Sequence, residues 1–154
     1  MIGDCNIMDV KFRIATYNDV ENIIALCDEC FDEKTNLEYA KTVFKATEDD
    51  KNQIYLIGEK DGKVIAHTKI TIIPTIYEDM NIYAILNHVC VKPEFRRSHI
   101  GTKLMDECFK IAKQRNCKCV ELWSKNFRTA AHGLYHKYGF EVMDAKFFSK
   151  NVEE

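Results

Sequence analysis

The chain has 154 residues, of which 46% are hydrophobic and 30% charged, and its formal net charge is −2. This balance is typical of a soluble globular protein, and the length suits one domain over residues 1–154. No apolar stretch approaches the roughly 20 residues of a membrane helix, and the N-terminus lacks the basic and apolar segments of a signal peptide. We therefore expect a cytoplasmic protein without a membrane partner.

The seven cysteines are an odd number at irregular spacing, which favours reduced thiols over a disulfide framework. Cys27 and Cys30 form a C-x-x-C pair, and Cys117 and Cys119 form a C-x-C pair. Four thiolates could bind zinc. Both pairs lie within segments of regular apolar periodicity, however, so we expect the thiols to pack as small hydrophobic side chains and to hold no metal.

The first half of the chain predicts a strand, two helices and a β-hairpin. Thr16 and Asp19 have the spacing of a capping pair at a helix start, and Asp61-Gly62 between two β-rich runs is a strong hairpin signal. The predicted elements are a strand at Lys11–Ala15, helices at about Asn18–Cys30 and along the stripe Leu37, Ala40, Val43 and Phe44, and strands at Gln53–Glu59 and Lys63–Ile73.

The second half alternates strands and helices. Ile82–Val91 is apolar at even and odd positions alike, which predicts a central strand with helices on both faces of the sheet. The remaining predicted elements are a helix at about Gly101–Arg115, a strand at Lys118–Trp123, a helix at about Ala130–Tyr138 capped by Gly139, and an antiparallel pair at Phe140–Met143 and Lys146–Ser149. The order β-α-α-β-β-β-α-β-α-β-β predicts an α/β protein with a mixed sheet.

The stretch from Val89 to Leu104, VCVKPEFRRSHIGTKL, joins a strand end to a helix start. A helix N-terminus presents unpaired backbone N–H groups and the positive end of the helix dipole. Arg96 and Arg97 add full charges, so a phosphate or pyrophosphate is the expected ligand. Residues 91–128 carry a net charge of +6, which also suits a polyanion. A surface turn with incidental arginines is the alternative.

This stretch resembles the acyl-CoA pyrophosphate loop of the GNAT N-acetyltransferase superfamily, V-x-P-x-x-[QR]-x-x-G-x-[GA]. Val91, Pro93, Arg96 and Gly101 match, while His99 replaces the first glycine. Histidine tolerates positive φ better than most residues, so the loop can still form. The resemblance implies acetyl-CoA as co-substrate and no metal. The cofactor-binding residues that it implies in this stretch are Val89, Cys90, Val91, Arg96, Arg97, Ser98, His99, Ile100, Gly101 and Thr102.

A second segment, Asn126 to Phe140, is similar to the A-H-x-[FL]-Y-x-x-x-G-F run of small-molecule amine and aminoglycoside acetyltransferase-like members. The matching residues are Ala131, His132, Leu134, Tyr135, Gly139 and Phe140. The resemblance implies that Tyr135 is the general acid that protonates the leaving thiolate, and that Asn126 and Arg128 lie near the cofactor phosphates. The alternatives are a core tyrosine, a turn asparagine and a solvated arginine.

The general base is left open. Many relatives place a Glu on the strand before the loop, where this chain has Leu86. His88, His67, Glu121 or a water chain could replace it. A covalent route through Cys90 is disfavoured, because the sequence places no histidine partner beside it.

The resemblance implies direct acetyl transfer from acetyl-CoA to a primary amine in a ternary complex. Residues 19–50 carry a net charge of −7, which favours a small cationic amine as the acceptor; a peptide N-terminus or lysine is the alternative. A non-catalytic acyl-CoA-binding module is a further alternative, suggested by His99 and Leu86. Nucleic-acid binding is not expected, because the basic residues are not interleaved with aromatic ones. The family resemblance is compatible with a homodimer.

Overall fold

The computed structural model describes residues 9–153. They belong to two compact units, one ending at Trp123 and the other beginning at Ser124. The sequence-based expectation of one domain over residues 1–154 stays a prediction. Among the described residues, no helix has both the length and the apolar character needed to cross a membrane.

The first unit is built on a five-stranded sheet whose strands follow one another in chain order. Neighbouring strands are antiparallel from β1 to β4, whereas β4 and β5 are parallel. The α/β mixed sheet predicted from the sequence is thereby confirmed. The strands are β1 (Lys11–Ile14), β2 (Gln53–Lys60), β3 (Lys63–Ile73), β4 (Tyr83–Val91) and β5 (Cys119–Leu122).

Three helices cover this sheet: α1 (Val20–Phe31), α2 (Leu37–Thr47) and α3 (Ile100–Gln114). Both α1 and α3 pack against β3 and β4. Val64–Thr68 of β3 is buried at every position instead of at alternate ones. Both faces of β3 are therefore covered. In β4, for which the sequence predicted this, Ala84, Leu86 and Cys90 are buried, whereas Asn87 and His88 are exposed.

Local sequence signals explain how these elements begin and turn. Thr16 and Asp19 form the predicted capping box, in which the Asp19 carboxylate accepts a hydrogen bond from the Thr16 backbone N–H at 2.7 Å. Asp61 and Gly62, with φ of 50° and 75°, form the hairpin turn between β2 and β3. Two successive left-handed residues are what the favoured two-residue hairpin requires.

The second unit contains α4 (Thr129–Tyr138), which Gly139 terminates with φ of 101°. The predicted antiparallel pair at Phe140–Met143 and Lys146–Ser149 is wrong: within residues 9–153 no ladder includes either segment. Val142 and Phe148 are 83% and 84% exposed. An apolar pattern alone does not make a strand, because a strand persists only where ladder hydrogen bonds and packing offset the cost of ordering it.

Candidate active site

The end of β4 extends beyond its neighbour β5. The parallel pairing runs from Tyr83 to Leu86 and stops at Leu122, where β5 ends. The last five residues of β4, Asn87–Val91, therefore continue without β5 beside them. A strand edge without a neighbour leaves backbone N–H and C=O groups available to an extended ligand.

A β-bulge interrupts β4 at the same point. His88 and Val89 together oppose the single residue Thr68 of β3, and His88 has a left-handed φ of 53°. The Thr68 hydroxyl donates to the Asn87 carbonyl at 2.9 Å. A bulge bends its strand and redirects the side chains there, so the side chain of His88 leaves the regular alternation of the sheet.

The loop between β4 and α3 is rich in left-handed backbone. Pro93 begins a short 3-10 turn, and Arg97 and His99 follow with φ of 63° and 64°. Such residues build the concave backbone nests that bind anions. The positive φ of His99 explains why the family has glycine there and how histidine can replace it.

The residues predicted to bind phosphate offer different groups to a ligand. The backbone of Ile100, Gly101 and Thr102 forms the first turn of α3, whose N-cap His99 makes no capping hydrogen bond through its side chain. The side chain of Ile100 is buried in the core, which leaves its backbone N–H as the group it can offer. The Ser98 hydroxyl donates to the Phe95 carbonyl and so braces the loop.

Arg96 and Arg97 are both exposed, but the Arg96 side chain is also hydrogen-bonded to the backbone. Its Nε–H donates to the Val91 carbonyl at 3.0 Å. This hydrogen bond ties the loop to the end of β4. Arg96 therefore links the strand edge and the basic loop, the two parts of the candidate acyl-CoA surface.

The Cys90 thiol lies in the core. The side chain is 5% exposed, and the neighbouring thiols of Cys27 and Cys30, together with burial, raise its pKa. A buried thiol of raised pKa is not available as a thiolate to an external thioester. This environment argues against a covalent route through Cys90, as the sequence indicated.

Of the two histidines proposed as bases, His67 is a core residue. It is 3% exposed, and its Nδ1–H donates to the Leu56 carbonyl at 2.9 Å. Burial lowers its pKa to about 4, so the imidazole is neutral at physiological pH. Its function in the structure is to satisfy a backbone carbonyl inside the sheet.

His88 lies in a different environment, at the bulge beyond the end of β5. Its side chain is 47% exposed, and its Nε2–H donates to a Glu33 carboxylate oxygen at 3.3 Å. Its ring meets the edge of Phe31, with the ring centres 5.0 Å apart. Glu33 follows α1 and is 55 positions away in sequence, so sequence analysis missed this pair; the acidic character of residues 19–50 was the only signal.

Glu121, the third proposed base, lies on β5 opposite Ile85, within the paired part of the sheet. It is exposed, and its carboxylate lies 3.9 Å from the Cys119 sulfur. Of the three proposed bases, His88 is therefore the one on the segment of β4 that extends past β5.

The second unit holds the other predicted site residues. The ring of Tyr135 on α4 packs edge-on against Phe140 with the ring centres 5.7 Å apart, and the Arg128 guanidinium lies over the Phe127 ring. His132 Nε2 is hydrogen-bonded to the Ser124 hydroxyl at 3.0 Å. Asn126 is exposed. The roles of Asn126, Arg128 and Tyr135 stay predictions.

Within residues 9–153, no group of three or more histidine, cysteine, aspartate or glutamate side chains is arranged to hold a metal ion. All six cysteines of this range are free thiols. The side chains gathered around the end of β4 are instead a histidine–carboxylate pair, two arginines and a group of thiols.

Known proteins resemble this chain in sequence and in fold. The sequence model of the Acetyltransferase (GNAT) family matches residues 18–140. An uncharacterized N-acetyltransferase of Bacillus subtilis, YhfO, is 27% identical over 136 residues, which cover 86% of this chain and 90% of that protein.

Two solved structures share the fold at low sequence identity. A predicted acetyltransferase with acetyl-CoA from Clostridium acetobutylicum has a TM-score of 0.74 at 21% identity and covers 93% of this chain and 96% of its own. The aminoglycoside 6'-N-acetyltransferase AAC(6')-Ih of Acinetobacter baumannii has a TM-score of 0.76 at 20% identity, with coverage of 93% and 99%. Because the match to the family's sequence model spans residues 18–140, the chain belongs to the GNAT acetyltransferase family.

Proposed function

We propose that the protein is an N-acetyltransferase that moves the acetyl group of acetyl-CoA directly to a primary amine in a ternary complex. The observation that carries this proposal is the end of β4, where a strand edge beyond β5, a bulge and a basic left-handed loop follow one another within 15 residues, from Asn87 to Gly101. Each feature matches one need of the reaction: an extended binding edge, an exposed proton acceptor and an anion site.

In this proposal, acetyl-CoA is a co-substrate that supplies a thioester activated for attack by an amine. The backbone of Val89, Cys90 and Val91 would hold the extended part of the molecule along the strand edge. The pyrophosphate would lie against Arg97 and the first turn of α3, as charge-assisted hydrogen bonding favours. The fit rests on the left-handed φ of Arg97 and His99 and on the uncapped helix start.

His88 is the proposed general base. Donation of its Nε2–H to Glu33 leaves the Nδ1 lone pair to accept a proton. The carboxylate partner also holds the ring in one orientation. The acceptor amine must lose a proton during the reaction, and histidine is suited to that exchange near neutral pH.

Tyr135 is the proposed general acid for the departing thiolate, because it matches the tyrosine of the family motif and a phenol is protonated at neutral pH. We expect Tyr135→Phe to lower turnover while the affinity for acetyl-CoA is retained. Tyr138→Phe, on the same helix, is the matched control. Equal turnover of Tyr135→Phe and wild type would withdraw the role.

The proposed acceptor is a small cationic amine. Glu33, beside the proposed base, belongs to the acidic segment 19–50, whose net negative charge attracts a cation. A likeness in fold to an aminoglycoside acetyltransferase is compatible with such an acceptor. The proposal includes a cytoplasmic location and no nucleic-acid or membrane partner; a homodimer stays a prediction.

The deciding experiment measures acetyl-CoA consumption as free thiol against a panel of aminoglycosides, polyamines, amino acids and short peptides. We expect release that depends on a small cationic amine. Release with peptides alone would favour a protein N-acetyltransferase. Tight acetyl-CoA binding without release by any amine would favour the binding module, for which the buried Leu86 in place of a glutamate is the supporting observation.

A further inference from the structure

Three thiols meet where α1 packs against β4. Cys27 and Cys30 are three residues apart and therefore share one side of α1 near its C-terminal end. Cys90 lies on β4 in the same buried cluster as Cys27, and Cys30 packs against that cluster. Cys27 and Cys90 are each 5% exposed, whereas Cys30 is only half-buried and so can meet a small reagent.

The three thiols are not equivalent. The Cys30 sulfur lies 3.5 Å from the Val91 carbonyl oxygen, the same oxygen that accepts from Arg96. Hydrogen bonding from Cys90 and the nearby Arg96 guanidinium lower the pKa of Cys30 to about 7. Burial and its two thiol neighbours raise the pKa of Cys90. The thiolate is the reactive form of cysteine, and of these thiols only Cys30 is half-buried rather than buried, so Cys30 is the expected first nucleophile.

We propose that Cys30 and Cys90 are a reversible oxidation site, in which hydrogen peroxide converts the two thiols into a disulfide between α1 and β4. The Cys30 sulfur attacks peroxide, the O–O bond breaks, and the sulfur is oxidised to a sulfenic acid while the leaving hydroxide takes up a proton. The Cys90 sulfur then attacks the Cys30 sulfur, an S–S bond forms and the S–O bond breaks. The leaving hydroxide takes the Cys90 proton, so two thiols and one peroxide give one disulfide and two molecules of water.

The disulfide would act on the residues that flank it. Phe31, next to Cys30, packs on the His88 ring, and Glu33 accepts the hydrogen bond of that ring. A sulfur–sulfur bond of about 2.05 Å is far shorter than a thiol hydrogen bond, so oxidation draws the end of α1 and β4 together. On the proposed function, this shift changes the setting of His88 and lowers turnover; formation of the disulfide does not depend on that function.

The site is tested first by mass spectrometry on the reduced full-length protein. The protein is treated with a small excess of hydrogen peroxide, its free thiols are alkylated, and it is digested without reductant. We expect the loss of two hydrogen atoms, a cross-linked peptide pair joining Cys30 to Cys90 with Cys27 alkylated, and reversal by dithiothreitol. Complete alkylation of all thiols, a Cys27–Cys30 disulfide, or over-oxidised Cys30 beside alkylated Cys90 would each overturn the proposal.

Variants then distinguish the formation of the disulfide from its effect on turnover. Cys30→Ala should lose the cross-link, whereas Cys117→Ala, between α3 and β5, should keep it. Peroxide should lower the amine-dependent turnover of the wild type, with recovery in dithiothreitol, but leave the turnover of Cys30→Ala at its own untreated value. A disulfide without a change in turnover would overturn the regulatory effect. A protein without turnover would overturn the proposed function, while the peptide map would still decide the disulfide.

Discussion

The sheet around His67 and the end of β4 around His88 are adjacent, yet they differ in every property that matters for chemistry. His67 lies where β3 is paired on both sides, and its imidazole is buried and bonded to a backbone carbonyl. His88 lies at a bulge beyond the end of β5, half-exposed and paired with Glu33. The bulge in β4 and the end of β5 at Leu122 thus make His88 accessible to a substrate, whereas His67 is a structural residue.

Replacing His88 gives the largest expected effect. His88→Asn keeps a residue that tolerates positive φ but removes the proton acceptor. We expect turnover at saturating amine to fall about 100-fold or more, the usual contribution of a general base, with an unchanged dissociation constant for acetyl-CoA. His136→Asn, exposed on α4, is the control in the thiol-release assay. Wild-type turnover in His88→Asn would contradict the role of His88 as the general base.

Replacing His67 should change stability instead. Because burial lowers its pKa to about 4 from the ordinary 6.5, the unfolded chain binds a proton that the folded chain does not between these pH values. Stability therefore falls as the pH decreases from 6.5 to 4, by about 3 kcal/mol. We expect His67→Gln to lack this part of the pH dependence, measured by urea unfolding across that range. Parallel pH profiles for the two proteins would contradict the buried, neutral histidine.

Substitutions of His99 test whether the left-handed backbone of the loop contributes to acetyl-CoA binding. A β-branched residue is strained at φ of 64°, so His99→Val should disturb the loop at a cost of about 1 to 2 kcal/mol. We expect a roughly ten-fold weaker affinity for acetyl-CoA by calorimetry. His99→Gly, which relieves the backbone, should bind at least as well as wild type. Equal affinities for the valine and glycine variants would argue against a role for this backbone form in binding.

The C-terminal segment gives the smallest expected effect. Val142 and Phe148 are almost fully exposed, so Val142→Ser and Phe148→Ser should each change the free energy of unfolding by less than about 0.5 kcal/mol. Chemical denaturation measures this directly. A loss above about 1 kcal/mol in both variants would indicate that the segments pair as strands after all.

The features predicted correctly from the sequence have local causes. The capping box of Thr16 and Asp19, the Asp61-Gly62 turn and the cap at Gly139 each depend on residues a few positions apart. The positive φ at His99 was also foreseeable, because it stands where the motif has glycine.

The features that the sequence did not reveal depend on partners far along the chain. Glu33 and His88, like Cys30 and Cys90, meet only because α1 packs on β4. The bulge at His88 arises from its register with β3. The prediction of the final strand pair was wrong for the same reason. The apolar pattern of a segment carries no information about which strand it could pair with.

The most direct test of the account is hydrogen exchange with and without acetyl-CoA, followed peptide by peptide. We expect acetyl-CoA to slow exchange most strongly in peptides that cover Val89–Val91 and Ile100–Thr102. No protection at either segment, or protection confined to other parts of the chain, would contradict the assignment of the end of β4 and the start of α3 as the acetyl-CoA site.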